Sequence, residues 1–217
     1  LAAGWRNSDL LFLGFAGNVT LPGVVGPVTP WEVGTFNPTQ IGPATAGSFA
    51  RWWSVKDHGL TTAGAKIDAL DWPTWQGITR MYLSTAGAVN STYPNEIVLA
   101  DEDVGLYTWP GIGGGYWERF FDGNGVDGLA VEDVVAMDLA EKGSYDSWMM
   151  LVIQGSGVVG ENRLRVTQKD IFLVGRMHGP PDSPWNAELF WHGPTHGWNY
   201  NIDAIDFPVL DMDCLEC

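Results

Sequence analysis

The sequence predicts an all-β fold built from three copies of a four-stranded unit. Glycine is abundant at 28 residues, and 12 tryptophans accompany it, a combination typical of short strands joined by tight turns. The apolar runs are too short for helices, and no segment has the sustained 3.6-residue apolar spacing of a long amphipathic helix. The chain also repeats itself at a fixed period, which indicates architecture before any single motif does.

An aromatic segment followed by a short Ile-Asp-Ala type segment carries the repeat. The aromatic segments lie at residues 51–60, 119–129 and 189–198. Each contains a glycine, and the glycines are 69 residues apart in both steps: Gly59, Gly128 and Gly197. The alanines of the following segments are 67 and 68 residues apart: Ala69, Ala136 and Ala204. Such constant spacing indicates three copies of one unit.

Four strands are predicted in each unit. The first is an apolar run, at residues 10–15, 81–85 and 149–153. The second lies at residues 31–36, 102–107 and 169–174. The third is the aromatic segment, and the fourth is the Ile-Asp-Ala type segment at residues 67–71, 131–138 and 202–206. Residues 131–141 are the best helix candidate, but their counterparts in the other units favour a strand.

The units cover about residues 10–72, 78–140 and 146–208 of a single domain, residues 1–210, with a tail at 211–217. Four strands per unit favour a β-propeller-like arrangement with pseudo-threefold symmetry. A β-trefoil or a β-prism is the alternative, because propellers typically have about four or more blades. The loops are longer than ordinary hairpin loops, so they are where a binding surface is expected.

Charge and composition exclude several classes of function. The chain has 26 acidic and 11 basic residues and a net charge of −15. Such a surface repels phosphate backbones, so nucleic acid is not expected as a partner. No apolar run approaches the roughly 18 residues of a membrane helix, so no membrane span is expected. No nucleophile pattern such as G-x-S-x-G is present, and we expect no enzyme.

Cysteine use and two sequons indicate export. Both cysteines, Cys214 and Cys217, lie in the last four residues, and the absence of other thiols suits an oxidising compartment. Asn18 and Asn90 begin Asn-x-Thr type sequons in the same loop of successive units, and they are candidate glycosylation sites. An extracellular or cell-surface location is therefore expected.

The motifs of the central unit resemble a repeat found in exported bacterial proteins without a characterised activity. The residues concerned are Phe121-Asp122-Gly123, Val126-Asp127-Gly128-Leu129, Glu132-Asp133-Val134 and Asp101-Glu102-Asp103-Val104. In that family, units of the form D-E-D-[IV], F-D-G-S-D-V-G-L and E-D-I-D-A recur in three tandem copies. The resemblance spans residues 10–207 and implies secretion or surface display, with no catalytic residues. The first and third units depart from the acidic pattern, for example at Lys56 and His192.

An oxygen-rich loop is the candidate metal site. Its side chains are Asp122, Asn124, Asp127 and Glu132. Calcium takes about six to eight oxygen ligands on a flexible loop, and this stretch supplies several. The alternative is that the aspartates close Asx-type turns, which is favoured because the other units keep the turn glycines and lose the ligands. Calcium is the one candidate cofactor.

The tryptophans divide by their place in the repeat. Those of the aromatic segments are expected in the core, because Trp52, Phe120 and Phe190 occupy equivalent places. Four others fall in predicted loops without equivalents and form the candidate contact surface: Trp31, Trp75, Trp109 and Trp185.

The C-x-x-C pair of the tail, Cys214 and Cys217, lacks the strand-to-helix context of a redox site and the further ligands of a zinc site. A disulfide is predicted, either within the pair or to a neighbouring subunit, and a functionally silent tail is the alternative.

Two functions of different classes are expected. The first is an exported, non-catalytic structural protein that assembles with copies of itself into an extracellular filament, sheath or surface layer. Small polar turns, loop tryptophans and the terminal cysteine pair favour it. The alternative is a calcium-aided carbohydrate-binding or adhesion module that contacts glycans through loop aromatics. A hydrolytic enzyme has the least support, because a fold alone implies no reaction.

Overall fold

The fold is described from a computed structural model. It describes residues 11–40, 45–71, 74–75, 78–109, 114–125, 129, 132–142, 146–175, 186–203 and 205. Within these residues the regular structure is β-strand, apart from three single turns of 3₁₀-helix. The all-β prediction is therefore confirmed, and residues 134–142 form a strand and not a helix. None of the helical segments described has the length and apolar character to cross a bilayer.

The strands follow one another in three groups. The first group is β1 (Leu11–Leu13), β2 (Glu32–Gln40) and β3 (Ala46–Ser54). The second is β4 (Ile67–Asp71), β5 (Thr74–Trp75), β6 (Ile78–Thr85), β7 (Val89–Ser91), β8 (Ile97–Leu99), β9 (Val104–Trp109) and β10 (Tyr116–Phe121). The third is β11 (Val134–Lys142), β12 (Asp146–Ile153), β13 (Ser156–Val159), β14 (Leu164–Thr167), β15 (Asp170–Gly175) and β16 (Asn186–His192).

Each group forms one main antiparallel sheet. The last three strands of each sheet correspond, namely β1-β2-β3, β6-β9-β10 and β12-β15-β16, and the second and third sheets have one further strand in front of them. The orders are β1-β2-β3, then β4-β6-β9-β10 with β5 beside β6, then β11-β12-β15-β16. Separate two-stranded hairpins, β7-β8 and β13-β14, interrupt the second and third groups. In the first group the corresponding loop contains an isolated antiparallel bridge between Val19 and Val28. All three groups therefore contain antiparallel pairing at the same point, as a hairpin in two groups and as a single bridge in the first.

The sheets begin one strand earlier than the predicted units. The Ile-Asp-Ala segment of the first unit, β4, pairs with β6 of the following unit. Likewise, β11 pairs with β12. A repeat fixes the period of a sequence but not the point at which one sheet ends, which depends on pairing between distant strands. Residues 202, 203 and 205 of the last such segment carry no strand assignment.

A β-bulge occurs at the same place in the last strand of every sheet. The register skips one residue of that strand in each case, and the skipped residues are Trp52, Phe120 and Phe190. A bulge places two residues opposite one and locally reverses the alternation of side chains. Adjacent aromatic residues can therefore face opposite sides of the strand: Trp53 and Phe121 are buried, whereas Trp52 is 39% exposed. The predicted equivalence of the three positions is thus present in the pairing, but Trp52 does not lie in the core.

A single 3₁₀ turn follows each of these last strands. The turns are Lys56–His58, Gly123–Gly125 and Gly193–His196. Gly59 and Gly197 end the first and third turns with φ angles of 94° and 77°. A residue with a Cβ atom rarely adopts this left-handed conformation, which explains the glycines at positions 59 and 197.

A carboxylate at or just before the start of one strand fixes the preceding turn in each group. It accepts hydrogen bonds from the residue three positions earlier, as Asp170 does from the backbone N–H and Oγ1 of Thr167 at 2.7 and 2.9 Å. The three carboxylates are Glu32, Asp103 and Asp170. Each also pairs with a side chain of the sheet's last strand: Arg51, Arg119 and His192.

Two apolar cores lie on the two faces of the second sheet. Met81 and Leu83 of β6 belong to a cluster with Val33 and Trp53 of the first sheet. Tyr82, between them in sequence, belongs to a cluster that includes Leu151 and Phe172 of the third sheet. Alternate residues of a strand point to opposite faces, so the second sheet is covered on both sides. A third cluster lies on the other face of the third sheet and includes Ile202 and Ile205.

Candidate functional site

An open groove of about 590 Å³ lies between the Lys56–His58 turn and the β7-β8 hairpin. One wall comes from the segment after β3 and the other from the hairpin that interrupts the second sheet. The groove is therefore formed between the connection of the first two main sheets and the separate β7-β8 hairpin. Its polar and charged lining includes Lys56, Asp57, Asn90, Thr92 and Glu96.

Close backbone packing at Gly59 holds the two walls together. A Cβ atom at this position would overlap the carbonyl oxygen of Tyr93 and lie 2.5 Å from Ser91 Oγ. The Ser91 hydroxyl accepts a hydrogen bond from the backbone N–H of Tyr93 at 3.1 Å and donates one to the Tyr93 carbonyl at 2.6 Å. The hairpin loop is thus fixed against the turn before any ligand enters.

The side chain of Asn95 attaches the same hairpin loop to the second sheet. Its Oδ1 accepts a hydrogen bond from the backbone N–H of Trp117 at 2.7 Å, and its Nδ2 donates one to the Trp117 carbonyl at 2.8 Å. The Asn95 amide thus bonds both the N–H and the carbonyl of Trp117, as the backbone of a neighbouring β-strand would. The loop that carries Tyr93 is therefore anchored on both sides.

The groove presents an aromatic ring, an apolar side chain and hydrogen-bonding groups together. Tyr93 is 66% exposed and Val98 is 56% exposed, although both lie on the anchored hairpin. The Lys56 ammonium lies 3.6 Å from the ring centre of Trp31, a cation–π contact that draws this cation toward the indole. No ion pair is found for Asp57 or Glu96 among the side chains that the structure describes. An exposed ring beside fixed polar groups suits a small polar ligand with a flat apolar face.

An aromatic cluster supports the groove from within the core. His58 stacks on Trp53 with ring centres 4.5 Å apart and meets Tyr107 edge-on at 4.8 Å. Its Nδ1 donates to the Ser54 carbonyl at 2.8 Å, because a carbonyl can only accept. Its Nε2 accepts from the indole N–H of Trp53 at 3.2 Å. These partners assign a neutral imidazole with the proton on Nδ1, so His58 is a structural residue here.

The most strongly perturbed carboxyl lies outside the groove. Asp68 is the extra residue of a bulge in β4, and both of its oxygens are buried without an N–H or O–H partner in good geometry. Burial, and next the carboxyl of Asp133, raise the pKa of Asp68 to about 9, although the backbone N–H groups of Asp68 and Ala69 partly oppose the shift. Burial also raises the pKa of Asp133. We assign the proton to Asp68, whose protonated carboxyl can donate a hydrogen bond to the carboxylate of Asp133.

The pKa values of three other carboxyls are also raised. Burial raises the pKa of Glu102 and of Glu132. Burial also raises the pKa of Asp103, even though backbone N–H groups and Arg119 act against it. A set of carboxyls that are all desolvated favours the folded state at mildly acidic pH.

Asp122, the first predicted calcium ligand, makes hydrogen bonds and an ion pair to other residues of the chain. Asp122 Oδ1 accepts a hydrogen bond from the backbone N–H of Asn124 at 3.1 Å, and Oδ2 pairs with Arg119 at 2.7 Å. This is the Asx-turn alternative. Glu132 is half-buried just before β11, and Asp127 lies outside the described residues. Across the described ranges no group of three His, Cys, Asp or Glu side chains could hold a metal, and the calcium site stays a prediction.

Two of the four candidate contact tryptophans lie in strands and not in loops. Trp75 lies in β5 and Trp109 is the last residue of β9. Trp31 and Trp109 are half-buried against the first core, and Trp185 lies outside the described residues. Trp52 is the more exposed ring next to them, 6.5 Å from Trp109 between ring centres. The loop placement was wrong for Trp75 and Trp109 because aromatic residues without repeat equivalents also occur in strands.

The asparagines of the two sequons are both exposed and lie in the corresponding segments of the first and second groups. Asn18 precedes the bridge formed by Val19, and Asn90 lies in β7. Both side chains are exposed, and Asn90 lines the groove. Glycan attachment stays a prediction. Cys214 and Cys217 lie outside the described residues, so their predicted disulfide also stays a prediction.

Sequence patterns missed most of the groove. Lys56 and Asp57 lie about 40 residues before Glu96 in the sequence, and the segments converge through tertiary packing, including the contact of Gly59 with Tyr93. The signal that could have found it is Ser91-Thr92-Tyr93-Pro94-Asn95, a turn sequence that carries an aromatic ring directly after a sequon. Comparison of the chain with protein-family models, curated proteins and solved structures gave no significant match.

Proposed function

We propose that this chain is an exported, non-catalytic module that binds carbohydrate, the second of the two functions expected from the sequence. The observation that carries the proposal is the anchored groove with Tyr93 at its edge. Sugar rings stack on exposed aromatic side chains, and their hydroxyls suit short polar groups such as Asn90 and Thr92. Export is supported by the resemblance to exported bacterial repeat proteins and by two exposed sequons.

A propeller-like arrangement of the repeats is part of the proposal. It is supported by three sheets with one strand order, an equivalent bulge in every last strand, and a second sheet covered on both faces. In such an arrangement the sheets lie side by side around a central channel. A groove beside the connection of two neighbouring sheets is a natural ligand site.

Replacing Tyr93 by alanine is expected to weaken glycan binding by about two- to tenfold, because a stacking contact is worth about 0.5–1.5 kcal/mol. A glycan array with purified protein would find the ligand, and calorimetry would measure the variant. Tyr200→Ala is the matched control, since Tyr200 is 74% exposed and does not line the groove. Equal loss in both variants, or no glycan bound by the wild type, would contradict the proposal.

Calcium dependence is tested by the same array. If the acidic turn at Asp122 aids binding, then a chelator lowers the signal and added calcium restores it. Asp122→Asn should then remove the calcium effect. Full binding in the presence of chelator would remove calcium from the proposal and leave the groove.

Self-assembly remains a second candidate because of one edge strand. β3 is the last strand of its sheet, and among the described strands it pairs only with β2. Most of its nine residues are exposed. An exposed edge of this length can pair with another chain. The net charge of −15 opposes contact between copies, so association should increase with salt.

Ala50→Lys is expected to abolish any association through β3, because a lysine on an edge strand disfavours pairing. Ala50 is exposed in β3, and Ala63→Lys makes the same change at an exposed position outside the strands. Sedimentation velocity over a range of protein and salt concentrations is the measurement. A wild-type monomer under every condition would exclude this candidate.

A further inference from the structure

The charge of the groove indicates which kind of carbohydrate it can bind. The inference drawn from it rests on the proposed carbohydrate function. Asp57 and Glu96 are exposed carboxylates on its lining. Neither has an ion-pair partner among the described residues. Unpaired carboxylates that flank a binding surface attract a positively charged group and repel an anionic one.

The one cation of the lining does not balance these carboxylates. The Lys56 ammonium lies over the ring of Trp31 at 3.6 Å, so the indole face holds it to one side. The net charge of the whole chain, −15, adds a field of the same sign. Sugars that carry uronate, sialate or sulfate groups are therefore disfavoured in this groove.

We infer that the groove binds a cationic amino-sugar oligosaccharide, with a pyranose ring stacked on Tyr93 and protonated amines facing Asp57 and Glu96. A basic peptide would satisfy the carboxylates equally well. The stacking ring and the short hydroxyl and amide side chains beside it, including Thr61, Thr92 and Asn90, suit a polyhydroxylated ring better than a lysine chain.

The test compares three probes at one ionic strength and at a pH where amines are protonated. The probes are a β-1,4-linked glucosamine hexamer, its fully N-acetylated counterpart, and a lysine hexamer. Calorimetry is expected to give about tenfold tighter binding of the glucosamine hexamer than of the acetylated one, because exposed ion pairs contribute about 0.2–1 kcal/mol each.

Substitution of Asp57 and Glu96 one at a time measures how much each carboxylate contributes to binding of the glucosamine hexamer. Asp57→Asn and Glu96→Gln should each weaken binding of the glucosamine hexamer about threefold and leave the acetylated hexamer unchanged. The double variant should bind the two sugars equally. Glu118→Gln is the matched control, because Glu118 is exposed on β10 and does not line the groove. It removes the same net charge without touching the groove.

The outcomes separate this inference from the proposed function. Equal binding of both sugars by the wild type, lost in Tyr93→Ala, overturns the charge selection and leaves carbohydrate binding in place. If Glu118→Gln weakens binding of the glucosamine hexamer as much as Glu96→Gln does, the hexamer is attracted by the net charge of the chain. That result also overturns charge selection by the groove. Binding of the lysine hexamer as tightly as the sugar overturns the sugar class. No binding of either sugar overturns the inference, and an empty glycan array as well overturns the proposed function.

Discussion

Gly59→Ala is expected to lower the free energy of unfolding by about 2–5 kcal/mol. Two costs add. Alanine in the left-handed conformation, here at φ 94°, costs roughly 1–2 kcal/mol. A Cβ atom at this position also overlaps the Tyr93 carbonyl, and forced backbone shifts cost about 1–3 kcal/mol more. Urea denaturation followed by circular dichroism would measure the loss.

Gly197→Ala separates these two costs. Gly197 ends the equivalent 3₁₀ turn of the third group at φ 77°, and no atom lies within 4 Å of the place its Cβ would take. Alanine there should cost only about 1–2 kcal/mol, the conformational part. Equal losses in the two variants would contradict the close packing of Gly59 on the hairpin. Loss of glycan binding in Gly59→Ala at temperatures where it stays folded would connect that packing to the groove.

Asp68→Asn is expected to raise the free energy of unfolding at neutral pH by roughly 2–4 kcal/mol. The pKa of Asp68 rises from 3.8 to about 9 on folding, so the folded state holds a proton that the unfolded state releases. Stability from this group is complete below pH 3.8 and is lost as pH rises toward 9, by about 1.4 kcal/mol per pH unit. Asparagine donates to Asp133 at every pH without that loss.

The measurement is the free energy of unfolding between about pH 4 and pH 9 for the wild type and the variant. The wild type should lose stability steadily with rising pH, and Asp68→Asn should be much less sensitive. Glu161→Gln makes the corresponding change from carboxyl to amide at an exposed position and should leave the slope of the wild type. A slope that is unchanged in Asp68→Asn would show that Asp68 is ionised in the folded state.

The sequence predicts the strands and their period because both follow from local patterns. Short apolar runs between glycines are sufficient to locate most of the strands, including β11 at a site that could have been a helix. The equivalence of Trp52, Phe120 and Phe190 also comes from the repeat, and each occupies the bulge of its strand. Their exposure could not be predicted, because a bulge shifts the alternation by one residue.

The groove and the buried carboxyl could not be predicted because each depends on contacts between distant segments. Residues 56–62 and 90–98 are about 30 residues apart in the sequence and come together in the folded structure to line the groove. Asp68 reads in the sequence as the polar residue of an alternating strand, and the bulge in β4 places it beside Asp133. Local patterns carry no information about either neighbour.

The pairing of β4 with β6 has a consequence for exchanging units between related chains. A crossover at a boundary of the predicted units, for example near residue 72, would separate β4 from β6. The hybrid would then have sheets that combine strands of two parents. Crossovers just before β4 and just before β11 would instead transfer whole sheets. Libraries of shuffled variants should therefore retain folded members mainly when the joints fall at residues 61–66 and 129–133.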